Sequence, residues 1–102
     1  MMGAADFMTG PAPGRVQQLE KLARGEKAKW FSDENITLLF LGGTPEQQLQ
    51  LRRADALYQN IELSLRFNQA RRAALYLAVY CALCRQLFSQ GALDAARKKL
   101  EE

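Results

Sequence analysis

Thr44, Pro45, Glu46 and Gln47 constrain this chain more than any other four residues. A threonine hydroxyl accepts from a free backbone N–H at a helix start, and proline at the first helical position gives up a donor that has no partner there. Glutamine three residues after the threonine reaches back to close a capping box. The pattern predicts a helix beginning at Pro45. Along it Leu51, Ala54, Tyr58, Ile61 and Leu65 recur at alternating spacings of three and four, the seam of a helix that packs lengthwise against another. That stripe needs a neighbour.

Phe67, Asn68 and Gln69 interrupt the periodicity, and asparagine caps either end of a helix, so a break or kink is expected there. A single unbroken helix over 45–89 is the alternative. From Ala70 to Ser89 the apolar residues, among them Leu75, Tyr76, Leu77, Val79, Tyr80, Leu83 and Leu87, cover nearly the whole circumference, which suits a central helix or one lying under a partner. Gly91 then reads as a stop. The last segment, 92–102, reads as a helix with Leu93, Ala96 and Leu100 inward and Arg97, Lys98 and Lys99 outward.

Towards the N-terminus, residues 1–14 hold three glycines and two prolines with few large apolar side chains, and read as a flexible leader. Val16, Leu19, Leu22 and Ala23 share one side of a short helix over 15–24, with Gly25 as its C-terminal cap. Ser32 followed by Asp33 and Glu34 marks another helix start, and Phe31 and Ile36 stand at the spacing of a hydrophobic staple. A helix over 33–41, closed by Gly42, is therefore expected, with a short buried strand over 36–41 as the alternative. The fold class that follows is all-α: a small helical bundle with short N-terminal helices and a long helical hairpin, one domain over 15–102.

Composition agrees with a folded chain. Of 102 residues, 48% are apolar and 25% charged, too apolar for an intrinsically disordered segment and enough for one core. The net charge of +3 is uneven, because seven Arg or Lys stand between Arg66 and Lys99 against Asp94 alone. The longest apolar stretch, Ala73 to Cys84, is shorter than the roughly 20 residues that a membrane span needs. Met1 to Met8 lacks the basic region and apolar run of a secretory signal, so a cytoplasmic protein is expected.

Tyr80, Leu83, Cys84 and Leu87, then Gly91, then Ala96 and Leu100, stand at spacings that resemble one tetratricopeptide-type repeat, a two-helix unit whose antiparallel helices stack into protein-binding grooves. Cys84 replaces the usual small glycine or alanine, Leu100 the usual aromatic, and the closing alanine and proline are absent. One repeat length upstream Glu62 falls on the small-residue position, so there is no tandem array. The resemblance covers about a quarter of the chain. It implies binding a peptide or helix, as small helical chaperones and adaptors of bacterial secretion systems do. Two amphipathic helices around a glycine turn recreate most of the same positions by periodicity.

Chemistry is harder to find. Cys81 and Cys84 form a C-x-x-C, but inside an apolar helix and not at a helix N-terminus after a strand, where the dipole would activate a thiol. Tetrahedral zinc needs four ligands, and the chain has no histidine and no third cysteine, so two copies would have to share a site. Both cysteines read best as small core residues. Asp33 and Glu34 are explained by a helix start, and Gly42–Gly43 lacks the lysine of a phosphate loop. No catalytic residue, metal or cofactor is expected.

Two binding classes remain. A non-enzymatic protein–protein interaction module, either a homodimer or a chaperone-like adaptor or small regulatory subunit, would use Tyr58, Ile61, Leu65, Tyr76, Val79, Tyr80 and Leu83, because so much apolar helix surface needs cover. A basic helical DNA- or RNA-binding regulator would use Arg52, Arg53, Arg71 and Arg72 on phosphates, with Lys27, Lys29, Trp30 and Phe31 mixing charge and aromatics nearby.

Overall fold

A computed structural model describes residues 13–102, and these form five helices with no strand. They are α1 Pro13–Trp30, α2 Asp33–Gly42, α3 Pro45–Arg66, α4 Ala70–Leu87 and α5 Gln90–Glu101. Most of the leader expected over 1–14 lies outside the described residues, but Pro13 and Gly14 already belong to α1. That helix also runs straight through Gly25, correcting the expected stop, and Gly91 sits in the first turn of α5 instead of ending α4. Neither glycine takes a left-handed φ. Without that reversal a glycine weakens a helix by about 1 kcal/mol but does not end it.

The expected starts are built as their sequences require. Thr44 accepts from Gln47 N while the Gln47 side chain accepts from Thr44 N, closing the capping box. Ser32 accepts from Asn35 N and sets α2 as a helix, which removes the strand alternative. Ser89, expected inside the preceding helix, instead accepts from Ala92 N and caps α5, which begins at Gln90 and not at Ala92. At the end of α3 the chain breaks as expected: Asn68 has φ 58°, and Gln69 N donates to Ser64 O at 2.7 Å, a closure that uses carbonyls the helix end leaves free. The unbroken 45–89 helix is thereby excluded.

From that break α4 returns antiparallel to α3, and this hairpin is the main contact of the molecule. Ala54, Ser64, Ala70 and Ala73 are buried along it, and such small side chains let two helix axes approach closely. Helix α1 lies in one groove of the hairpin and packs on both helices, giving a three-helix body. Beyond the body α2 pairs with α5, which makes its main contact there and not back along α4. The antiparallel neighbour that packs along α4 is α3. The result is a rod with extents of 63 × 18 × 17 Å.

Candidate interaction surface

The stripe read from the sequence is the inner face of the hairpin. Ala54, Tyr58, Ile61 and Leu65 are buried and Leu51 is half-buried, and the neighbour they need belongs to the same chain. Tyr80 is 1% exposed at the centre of this core. Its ring lies 5.5 Å from that of Tyr58 and is stacked on Phe31 at 6.1 Å. Of the residues singled out as partner-binding, Tyr58, Ile61, Leu65 and Tyr80 are therefore occupied internally. Tyr76 and Leu83 are half-buried, and Val79 is 55% exposed.

What decides which apolar residues stay open is the position of α1. Leu19 and Ala23 of α1 are buried in the body, and Lys27 Nζ sits 4.5 Å over the Tyr58 ring. At the exit of α1, Phe31 meets Phe88 edge-on. The groove on this side is therefore filled, except for a shallow cleft of about 230 Å³ lined by Glu20, Arg24, Tyr58, Ile61, Glu62 and Arg66. It is smaller than ordinary small-molecule sites, and its rim carries the Glu20–Arg24 ion pair at 2.7 Å.

Among the described residues no helix lies in the opposite groove. At about 100° per residue, Val79 and Leu83 lie about 160° round α4 from Cys81, and Leu57 lies about 140° round α3 from Glu62. Cys81 and Glu62 mark the α1 side, the first beside Glu26 and the second in the shallow cleft. Along the far side run half-buried Leu57, Tyr76 and Leu83 with exposed Val79 at their edge, while Leu75, 71% exposed, lies about 160° round α4 from buried Leu77 and points outward. Neither Leu57 nor Leu75 was among the residues assigned to partner binding from the sequence.

A second exposed apolar group sits at the end of the rod. Helices α2 and α5 bury only Leu38, Leu39, Gly42 and Ala96 fully, while Phe40 and Leu41 are 65% and 61% exposed and Leu100 is half-exposed. Gly42 lies against the backbone of Ala96, where a Cβ would collide with its carbonyl.

The four arginines considered for phosphate contact are all exposed, and among the described residues none is ion-paired. They form two clusters, with Arg52 and Arg53 separated from Arg71 and Arg72 by roughly twelve residues of hairpin, about 18 Å along its axis. The nearby aromatics are not free platforms: Trp30 Nε1 donates to Glu26 at 2.8 Å, and Phe31 is inserted between Tyr80 and Phe88.

Both thiols are free, with Cys84 fully buried and Cys81 partly so. Burial pushes the Cys84 thiol up to about 12 and raises Cys81 as well, with Glu26 adding to the effect at Cys81. A thiol held protonated is a poor nucleophile. Among the described residues no three His, Cys, Asp or Glu side chains are grouped to hold a metal, and no helix is long and apolar enough to cross a membrane.

Comparison with known protein families, characterised proteins and solved structures finds no match to this chain.

Proposed function

We propose that the chain is a non-enzymatic helical protein–protein interaction module, of the adaptor, chaperone-like or small regulatory-subunit kind. The observation that carries this reading is the open groove of the α3–α4 hairpin, where Val79 remains exposed beside half-buried Leu57, Tyr76 and Leu83. Fully burying one aliphatic side chain contributes about 1.5–3 kcal/mol, so covering Val79 and the still exposed parts of its neighbours favours association. The second apolar group at Phe40, Leu41 and Leu100 gives a rod with contacts along its side and at its end.

Light scattering on protein eluting from a size-exclusion column, over a range of concentrations and with absorbance at 260 and 280 nm, tests this. A dimer or a stoichiometric complex that Val79→Asp disrupts is the expected result. A monomer that associates with nothing, and behaves the same with Val79→Asp, contradicts it.

Four exposed arginines without carboxylate partners among the described residues support a second reading, in which the chain binds DNA or RNA. Phosphate contacts release counterions, so affinity would fall steeply with salt. A nucleic-acid titration from 50 to 200 mM salt in which binding drops by about 10³ or more supports it. No binding at the lowest salt removes it.

A further inference from the structure

The open groove has a charge pattern as well as an apolar one. Arg53 on α3 and Arg72 on α4 lie on the same side as Leu57 and Val79 and are exposed. Asp55 and Glu62, the acidic residues of α3 beyond its first turn, project about 160° and 140° round the helix from Leu57, towards α1. Helix α4 contains no acidic residue at all. Between Gln50 and Gln86 the groove is thus lined by Leu57, Tyr76, Val79 and Leu83 around buried Ser64, with guanidinium groups beside it and, among the described residues, no carboxylate.

Shape adds to this. A hairpin with one helix laid in one groove and the other groove apolar is a four-helix bundle lacking one member, and the usual occupant of such a trough is the apolar stripe of an amphipathic helix. A second copy is a poor occupant: across a two-fold axis it would bring the same arginines and again no carboxylate, and like charges across an interface are unfavourable. We infer that this groove receives an amphipathic helix of another protein, whose i, i+3, i+4, i+7 apolar stripe is flanked by aspartate or glutamate. The inference rests on the interaction-module reading and specifies the partner's chemistry.

The test is selection from a displayed library of helical peptides about 20 residues long, with a fixed leucine and alanine stripe and randomised flanking positions, followed by anisotropy titration of the selected peptides. Acidic flanks should be enriched, and Val79→Asp should weaken binding of the selected peptides at least about tenfold without changing the circular dichroism of the chain. The double variant Arg53→Glu, Arg72→Glu should reverse the preference towards lysine-flanked peptides, and it keeps the test valid should Val79→Asp fail to fold. Selection of helices with no acidic bias overturns the inference and leaves the interaction module standing. A self-dimer abolished by Val79→Asp, with no helix selected, does the same and makes a second copy the occupant. No selection and no association by light scattering overturns both.

Discussion

The ring of Phe31 meets that of Phe88 edge-on, with centroids 4.8 Å apart and planes at 76°. Phe31 stands just after α1 and Phe88 just after α4, so this single pair ties together the two points at which the chain leaves the three-helix body for the α2–α5 end. Phe31 also stacks on Tyr80 at 6.1 Å. Phe31→Ala should therefore destabilise the chain by about 2–3 kcal/mol, below the range for a fully buried phenylalanine because Phe31 is half-buried. Urea denaturation should show this as a lower midpoint, while Phe40→Ala at an exposed position should shift it little.

Gly42 faces the backbone of Ala96 across the α2–α5 contact, and a methyl group there collides with a carbonyl that no rotamer can move. Gly42→Ala should cost about 1–3 kcal/mol through overpacking. The effect should be local: hydrogen exchange should rise in α5 while the α3–α4 amides keep their protection.

Asn68 holds φ 58°, a conformation that asparagine tolerates and β-branched residues do not. Asn68→Gly should leave stability within about 0.5 kcal/mol, whereas Asn68→Val should lower it by about 1–2 kcal/mol. Thermal melts of the two variants separate the outcomes, and equal melting temperatures would show that the turn does not need this backbone.

Alkaline pH should destabilise the protein through its buried acids. Burial raises Cys84 from 9.0 to about 12, and raises Tyr80 and Tyr58 above the ordinary 10.0. The unfolded chain then releases these protons before the folded one does. Their contribution to stability is complete below pH 9 and is lost as pH rises towards about 12. Each group steepens the fall by up to about 1.4 kcal/mol per pH unit within its window. Denaturation midpoints measured at intervals above pH 8 should decline, and Cys84→Ala should flatten the first part of that decline. A thiol reagent at pH 8 should label Cys81 before Cys84, with Cys84 labelled only as fast as the body opens.

Features that one turn of chain decides were legible in the sequence. Ser32 and Thr44 start helices through bonds to residues three positions on, and Asn68 marks the break because its own backbone leaves the helical region. The two glycine stops failed for a physical reason: Gly25 and Gly91 stay in helical backbone, Gly91 just behind the Ser89 cap and Gly25 in a helix whose buried Leu19 and Ala23 hold it to the body. The candidate site was only half legible. Periodicity showed that α4 is apolar nearly all round, but it did not show that α1 would cover Tyr80 and leave Val79 open. That choice depends on residues some fifty positions apart.

A body 63 Å long and 18 Å wide meets somewhat more friction in water than a sphere of equal mass. For about 100 residues a compact chain has a radius of gyration near 13 Å, whereas this one has 16.8 Å. Its diffusion coefficient should be correspondingly low, and a calibrated column will assign the single chain the apparent mass of a larger globule. Mass from scattered light is independent of drag, and the difference between the two masses measures the rod itself.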